Sequence, residues 1–378
     1  MAKYRLGDVA PIQQGTPPME YPCWLLNLDM VESNTGRILE YVYVQPDEIG
    51  SSIVSFDIYN VLYSKLRPYL NKVVLPDRAG FATSEMLPLR PDTTIITREY
   101  LTYFLRSPHF VGYINDKTSG AKMPRANTSD LKAVEIDCPS LERQNAISGV
   151  FEHLTSIIDL YQRQLLALDT LIKARFVEMF EQGFYEEVAF GDICEFLRNG
   201  ANIKQTKGAS GIPITRIETL ANDVFNTDRL GYAGIFEMGK YEGYRLQAGD
   251  ILISHINSIA YLGRAVQYKG QLGNTPVIHG MNLLCARIKR SFCPTFVEFF
   301  FKTPVAKEYI SSITKKAVNQ ASITTTDLKK MRIPAPPIGE QEQFASFVSQ
   351  VDKSKAVVQA ALDKAQVLFD SLMQKYFG

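Results

Sequence analysis

Gly234-Ile235-Phe236-Glu237-Met238-Gly239-Lys240 comes close to a phosphate-binding loop. Such a loop closes backbone amides and a lysine on phosphate, and needs Ser or Thr after the lysine to hold magnesium. Tyr241 stands in that place, and the interior is bulky where amides would have to close. Pro91-Asp92 with Asp130-Leu131-Lys132 has the residue types of a metal-dependent nuclease. However, Asp-Leu-Lys returns at Asp327-Leu328-Lys329 with no matching Pro-Asp before it. No Asn/Asp-Pro-Pro-aromatic segment is present to hold the target amine of an amino-methyltransferase. His109, His153, His255 and His279 show no metal-ligand spacing and no Ser/His/Asp arrangement. These residues predict a binding protein with no catalytic or metal site of its own.

The groups that read DNA are Arg, Lys, Asn, Gln, Ser and Thr at base edges, with further cations on phosphates. Two polar, cationic segments lie at equivalent places, each before an Asp-Leu-Lys segment read as a strand. The first, 117–127, offers Lys117, Lys122, Arg125 and Asn127; the second, 314–322, offers Lys315, Lys316, Asn319, Gln320 and Ser322. Neither contains Asp or Glu, and a solvated loop would share that composition. A second pair follows a strand in each half: Lys65, Arg67 and Lys72 in 64–72, against His255, Asn257 and Arg264 in 254–264. The different side chains suit two different targets. Arg216 is a further candidate, although pairing with Glu218 or Asp223 would explain it equally.

Two such sets need two similar frames, and the chain repeats itself. Asp130-Leu131-Lys132 returns 197 residues later as Asp327-Leu328-Lys329, and Phe180 returns at Phe377. Leu6-Gly7-Asp8-Val9 matches Phe190-Gly191-Asp192-Ile193. A repeat of this length means two similar domains, whereas repeats of 20–50 residues mean solenoids. Strands are expected at 41–44, 61–64 and 136–139, and a short helix at 98–106, stopped by Pro108. From 141 the apolar spacing alternates four and three, a heptad seam. It runs through Ile147, Phe151, Leu154, Ile158, Tyr161, Leu165, Leu168, Ile172 and Met179, broken at Arg175. A helix from about 142 to 182 would be ~60 Å long at about 1.5 Å per residue, with Gly183 as its stop. The final segment carries the same seam through Phe344, Val348, Val351, Val358, Leu362, Ala365, Phe369, Leu372 and Tyr376, broken at Lys355. Antiparallel pairing of these helices would bring Lys355 near 165–169 and Arg175 near Glu340 or Glu342.

The expected fold class is α+β. Two repeated α/β domains, 1–138 and 184–335, are separated by long helices at 139–183 and 336–378, which form an antiparallel coiled coil with a rough twofold axis. The 378 residues include 46% hydrophobic ones, enough for a core in each half, and formal net charge is only +1. A free-standing nucleic-acid binder is usually more basic, so DNA contact would come from a local basic face or be shared with a partner. Five cysteines without a CxxC, and no long apolar run, predict a reduced, soluble, cytoplasmic protein without a membrane segment.

In combination, these features resemble the DNA-specificity subunit of a type I restriction–modification system. The motifs that carry the likeness are the two Gly-Asp openings, Val61-Leu62-Tyr63-Ser64 with Asp250-Ile251-Leu252-Ile253-Ser254, and Pro139-x-Leu141-x-x-Gln144 with Pro336-Pro337-Ile338-x-Glu340-Gln341. The resemblance implies a non-catalytic subunit with two target-recognition domains, each reading half of a split sequence in double-stranded DNA. The helices would set the spacer and dock two methyltransferase subunits, with a restriction or translocase subunit joining in some systems. S-adenosylmethionine, ATP and magnesium would be bound by those partners, with no cofactor on this chain. A coiled-coil scaffold that binds only protein, or a self-contained methyltransferase or nuclease, are the alternatives.

Overall fold

The computed structural model describes residues 2–118, 120, 122–181, 183–205, 210–316 and 320–378. It divides into two compact units. The first is Met1–Leu165 with Val357–Gly378, and the second is Leu166–Ala356. Each unit therefore holds one globular part, the start of one long helix and the end of the other.

The first unit contains β1 (Ala2–Arg5), α1 (Leu6–Val9), β2 (Cys23–Leu26), β3 (Val42–Val44), β4 (Ile53–Phe56), β5 (Val61–Ser64), β6 (Val73–Val74), β7 (Gly80–Thr83), β8 (Met86–Leu89), α2 (Arg98–Arg106), α3 (Pro108–Asp116), α4 (Thr128–Ala133) and β9 (Glu135–Cys138), and the first part of α5 (Leu141–Phe180). Its sheets have the orders β1-β9, β6-β5-β8 and β3-β2-β7-β4. All four residues of β5 are buried, as expected for a continuous apolar strand covered on both faces. Pro108 does more than stop α2. It is the first residue of α3, where its missing N–H costs nothing, and the Ser107 side chain caps the Phe110 amide. The Asp-Leu-Lys segment expected as a strand is the short helix α4, entered through a cap at Asn127.

The second unit contains β10 (Glu187–Ala189), β11 (Cys194–Asn199), β12 (Pro213–Ile214), β13 (Gly231–Tyr232), β14 (Ile251–Ser254), β15 (Ile256–Asn257), β16 (Ala265–Gln267), β17 (Leu283–Ile288), α6 (Pro294–Phe300), α7 (Pro304–Ser312), β18 (Lys315–Lys316), β19 (Ala321–Ser322), α8 (Thr325–Lys329) and β20 (Arg332–Pro334), and most of the first half of α9 (Ile338–Phe377). Its sheets are β10-β20, β11-β17-β14-β16, β12-β13 and β15-β19-β18. Here too Asp-Leu-Lys lies in a short helix, α8, capped by Thr324.

The repeated motifs meet one another and hold the frame. A Cβ on Gly7 would lie 2.8 Å from Lys132 Cβ, and one on Gly191 would lie 3.0 Å from Lys329 Cβ. The amide of Leu6 donates to the Val134 carbonyl at 2.7 Å, and that of Phe190 donates to the Met331 carbonyl at 2.8 Å. Leu6, Leu131, Phe190 and Leu328 are all buried. The repeated glutamine has an equally structural task. The Gln144 carbonyl accepts the Thr97 amide at the start of α2, and its amide group donates to Ile95 and Pro139 carbonyls. Gln341 accepts the Cys293 amide at the start of α6 and donates to the Pro336 carbonyl. Both glutamines are fully buried, so each clamps the first turn of a long helix onto its domain.

Within each unit the two long helices run antiparallel. In the first, the Phe151 ring packs on Phe369 at 5.2 Å and on Phe377 at 5.8 Å, and it stacks on Tyr103 at 4.9 Å. In the second, Phe344 packs on Phe176 at 5.3 Å and on Phe180 at 5.6 Å, while Lys355 Nζ reaches Asp169 at 2.5 Å. Of the seam residues, Ile147, Phe151, Leu154, Ile172, Phe344, Val348, Val351 and Val358 are buried. Ile158, Tyr161, Leu165, Leu168, Leu362, Phe369 and Leu372 are half-buried. Two expectations are corrected. Towards its end each helix changes to steps of four, through Ile172, Phe176 and Phe180 and through Phe369, Met373 and Phe377, because it leaves the two-helix seam for a domain core. Arg175 does not meet Glu340 or Glu342: it pairs with Glu178 at 2.8 Å on its own helix, and Glu340 accepts from Tyr185 instead.

Candidate nucleic-acid interface

The two cationic segments of the first unit come together. The Ala126 amide donates to the Lys65 carbonyl at 2.8 Å, and the Arg67 amide to the Pro124 carbonyl at 2.7 Å. Leu66 and Arg125 form an isolated bridge between them. Arg67 sits at φ 49°, which turns the chain sharply into a 3-10 turn at Pro68–Leu70. A third segment joins the platform: the Lys65 amide donates to the Glu85 carbonyl at 3.0 Å. Glu85 lies in the two-residue turn between β7 and β8. Its carboxylate takes Arg125 Nε at 3.0 and 3.2 Å and Nη2 at 2.9 Å, and Lys65 Nζ is 4.0 Å away. The absence of acid within either loop was legible in the sequence. A carboxylate supplied from forty residues away was not.

The second unit builds the same platform from different side chains. The Ile323 amide donates to the His255 carbonyl at 3.0 Å, as Ala126 does to Lys65. Strand β19 pairs on one side with β15 and on the other with β18, so Ile256, Asn257, Lys315, Lys316, Ala321 and Ser322 share one small sheet. Ile256 pairs with Ser322, as Leu66 does with Arg125. Strand registers put Ser64 opposite Met86 and Ser254 opposite Leu283, so Asn282 stands where Glu85 stands in the first unit. Asn282, Lys315, Lys316 and Gln320 are exposed. Asn319 lies outside the described residues.

Not every candidate faces outward. Lys72 donates to the Leu28 carbonyl at 2.6 Å, and burial pushes its pKa down. Asn127 is spent on capping α4 through the Ser129 amide and hydroxyl. His255 is 6% exposed, and burial holds its pKa below the usual range, so the ring is neutral beneath the platform. Arg264 bonds the Leu220 carbonyl and Asp223, fastening an irregular loop. Arg216 meets Gln205, and neither Glu218 nor Asp223. Asn257 bonds Ser254 and the Ser258 amide. Lys117 lies over Tyr113 and 4.0 Å from Asp130. Arg67 and Lys122 are exposed, and neither has an ion pair among the described residues.

The other chemistry considered finds no support in the geometry. Gly234–Lys240 leads into a 3-10 turn at Gly239–Tyr244, where a phosphate loop needs an α-helix, and Met238 is buried. Asp92 caps its own turn through Thr94. Among the described residues no group of three or more His, Cys, Asp or Glu side chains could hold a metal ion. None of their helices is long and apolar enough to cross a membrane.

Residues 54–169 and 184–364, which include both platforms, match the family described as Type I restriction modification DNA specificity domain. The chain belongs to this family. It is 37% identical over 187 residues to the putative type I restriction enzyme MjaX specificity subunit of Methanocaldococcus jannaschii, across 49% of this chain and 44% of that one. With the type I restriction enzyme EcoKI specificity subunit of Escherichia coli K12 it shares 22% over 311 residues, across 76% of this chain and 66% of the relative. The chain thus matches 44% to 66% of the length of these relatives. In fold it is similar to the type I restriction–modification S subunit from M. genitalium, with a TM-score of 0.59, 14% identity and coverage of 100% and 96%. It is also similar to a chain from a structure of complex assembly in the type I R-M system, with a TM-score of 0.62, 18% identity and coverage of 100% and 97%.

Proposed function

We propose that the platform of each repeat reads one half of a two-part sequence in double-stranded DNA, and that the paired helices fix the distance between the halves. The observation that carries this reading is the pair of equivalent platforms with unlike side chains. One presents Lys65, Glu85 and Arg125. The other presents Asn282, Ser322 and the exposed lysines of β18. Matching frames suit the regular duplex, and unlike side chains suit two different half-sites.

The same helices would carry two methyltransferase subunits. Leu160, Leu166, Val357 and Val367 are each more than 60% exposed, apolar side chains outside the seam that docked subunits would cover. Those partners would bind S-adenosylmethionine, and a restriction or translocase subunit, where present, would bind ATP and magnesium. With a net charge of only +1, the partners would also supply part of the attraction for DNA. The complex would act in the cytoplasm, on DNA.

Mapping methylated adenines in cells with and without this gene tests the reading. The expected result is a two-part motif that loses methylation when the gene is removed. An unchanged methylation map would overturn the reading, as would methyl transfer by the purified chain free of any partner.

A further inference from the structure

A carboxylate on a surface that meets DNA repels phosphate and lowers affinity for every duplex. Glu85 stands on such a surface, and its side chain is 23% exposed. It is held firmly, in a two-residue turn between two strands, with its carbonyl bonded to the Lys65 amide. Its two oxygens grip Arg125 from the side, through Nε and one hydrogen of Nη2. A guanidinium has five N–H groups in one plane. The side-on grip leaves its outer edge, one N–H each from Nη1 and Nη2, pointing away from the carboxylate. Among the described residues, the one hydrogen bond from Nη1 goes to the Met123 carbonyl at 3.5 Å, the outer limit of such a bond. That outer edge is the fork that fits O6 and N7 of guanine in the major groove.

We infer that Glu85 is a positioning residue for sequence reading, which fixes Arg125 so that its outer edge meets a guanine in the half-site of the first repeat. This rests on the DNA-reading function proposed above. A clamped arginine has less freedom to lose on binding, so the correct base gains more from it than a loose side chain would give. It also cannot swing to the nearest phosphate, which would strengthen binding to any sequence. Glu85 thereby trades affinity for discrimination. The device belongs to one repeat, because Asn282 and Ser322 occupy the corresponding places in the other.

The test is selection of bound sequences from a randomised duplex pool. It uses the full chain, alone and assembled with its methyltransferase subunits, as wild type, Glu85→Gln, Arg125→Ala and the double variant. Glu85→Gln should bind unselected duplex more tightly. It should also lose about tenfold of its preference for guanine at one position of one half-site. Arg125→Ala should lose the same preference at the same position, and the double variant should lose no more than Arg125→Ala alone. Arg125→Lys keeps the charge pair but not the fork. It should lose the preference with unchanged thermal melting, which covers the case in which Glu85→Gln folds poorly. If wild type selects a sequence and Glu85→Gln selects it equally sharply, the inference is wrong. Losses at different positions would contradict it as well, because Glu85 would then accept a base amino group itself. If wild type selects no sequence in either form, the DNA-reading proposal fails, and this inference with it.

Discussion

The platform of the first repeat is charged: the Glu85 carboxylate pairs with Arg125 at 2.9 Å and lies 4.0 Å from Lys65 Nζ. The equivalent places in the second repeat hold His255, Asn282 and Ser322, with the imidazole buried and neutral. Yet the bond from Ala126 to Lys65 and that from Ile323 to His255 differ by only 0.2 Å in length. The backbone pairs in the same way whichever side chains it carries. Frame and surface are therefore separable: motifs whose side chains point inward set the first, and residues between them are free to set the second.

The comparison breaks first if the frames are not energetically alike. Gln144→Ala and Gln341→Ala each leave buried backbone groups without partners, at about 1–3 kcal/mol per group. Urea titration with hydrogen exchange, read separately in each unit, should show similar losses in both. A large loss in one unit alone would mean that the glutamine clamp is not a shared device.

The surfaces can be compared through salt. Lys122→Ala in the first repeat and Lys316→Ala in the second should each flatten the slope of log affinity against log salt by about 0.9 for the assembled complex. An unchanged slope for one of them would remove that repeat's lysine from the DNA phosphates.

Acid should separate the two units. Burial holds the pKa of His255 and of His279 below the usual 6.5, and both lie in the second unit. His109 and His153, in the first, are exposed. A buried neutral histidine binds fewer protons folded than unfolded, so its stabilisation is complete above pH 6.5 and falls as pH drops below that value. The second unit should lose protection from hydrogen exchange between pH 7.5 and 5.5 more than the first. His255→Gln should reduce that difference, and equal loss in both units would contradict the assignment.

The smallest effect is expected at Lys355, whose counterpart 197 residues earlier is Ile158. Its ion pair with Asp169 is partly solvated, with side chains 31% and 48% exposed. Partly solvated pairs contribute about 0–1 kcal/mol, so Lys355→Ile should leave the urea midpoint nearly unchanged. A loss above about 3 kcal/mol, the scale of a broken buried pair, would make it one.

Much of the frame was legible from the chain alone. The repeat follows from recurring motifs and the seam of the long helices from periodicity, and the Lys355–Asp169 pair follows from aligning helix ends once the helices are taken as antiparallel, as the family resemblance implies. The Asp-Leu-Lys segments were read as strands because three residues carry no period, and their caps at Asn127 and Thr324 decide the matter. The site was harder to read. Lys72 and Arg264 are of types that contact DNA, but the Leu28 and Leu220 carbonyls that claim them lie in other segments, and Asn127 is held by Ser129, two residues on. Glu85 was missed for the same reason: nothing local ties it to Arg125, which is 40 residues away. Side-chain type marks candidates, whereas long-range pairing decides which of them face outward.

The most direct test of separable frame and surface is a chain in which residues 4–138 of the first repeat replace residues 187–335 of the second, with both long helices kept. Selection from a randomised duplex pool should return a perfect inverted repeat of the half-site that wild type reads with its first repeat. Recovery of the wild-type two-part sequence, or of an unrelated asymmetric one, by a folded chimera would contradict the account.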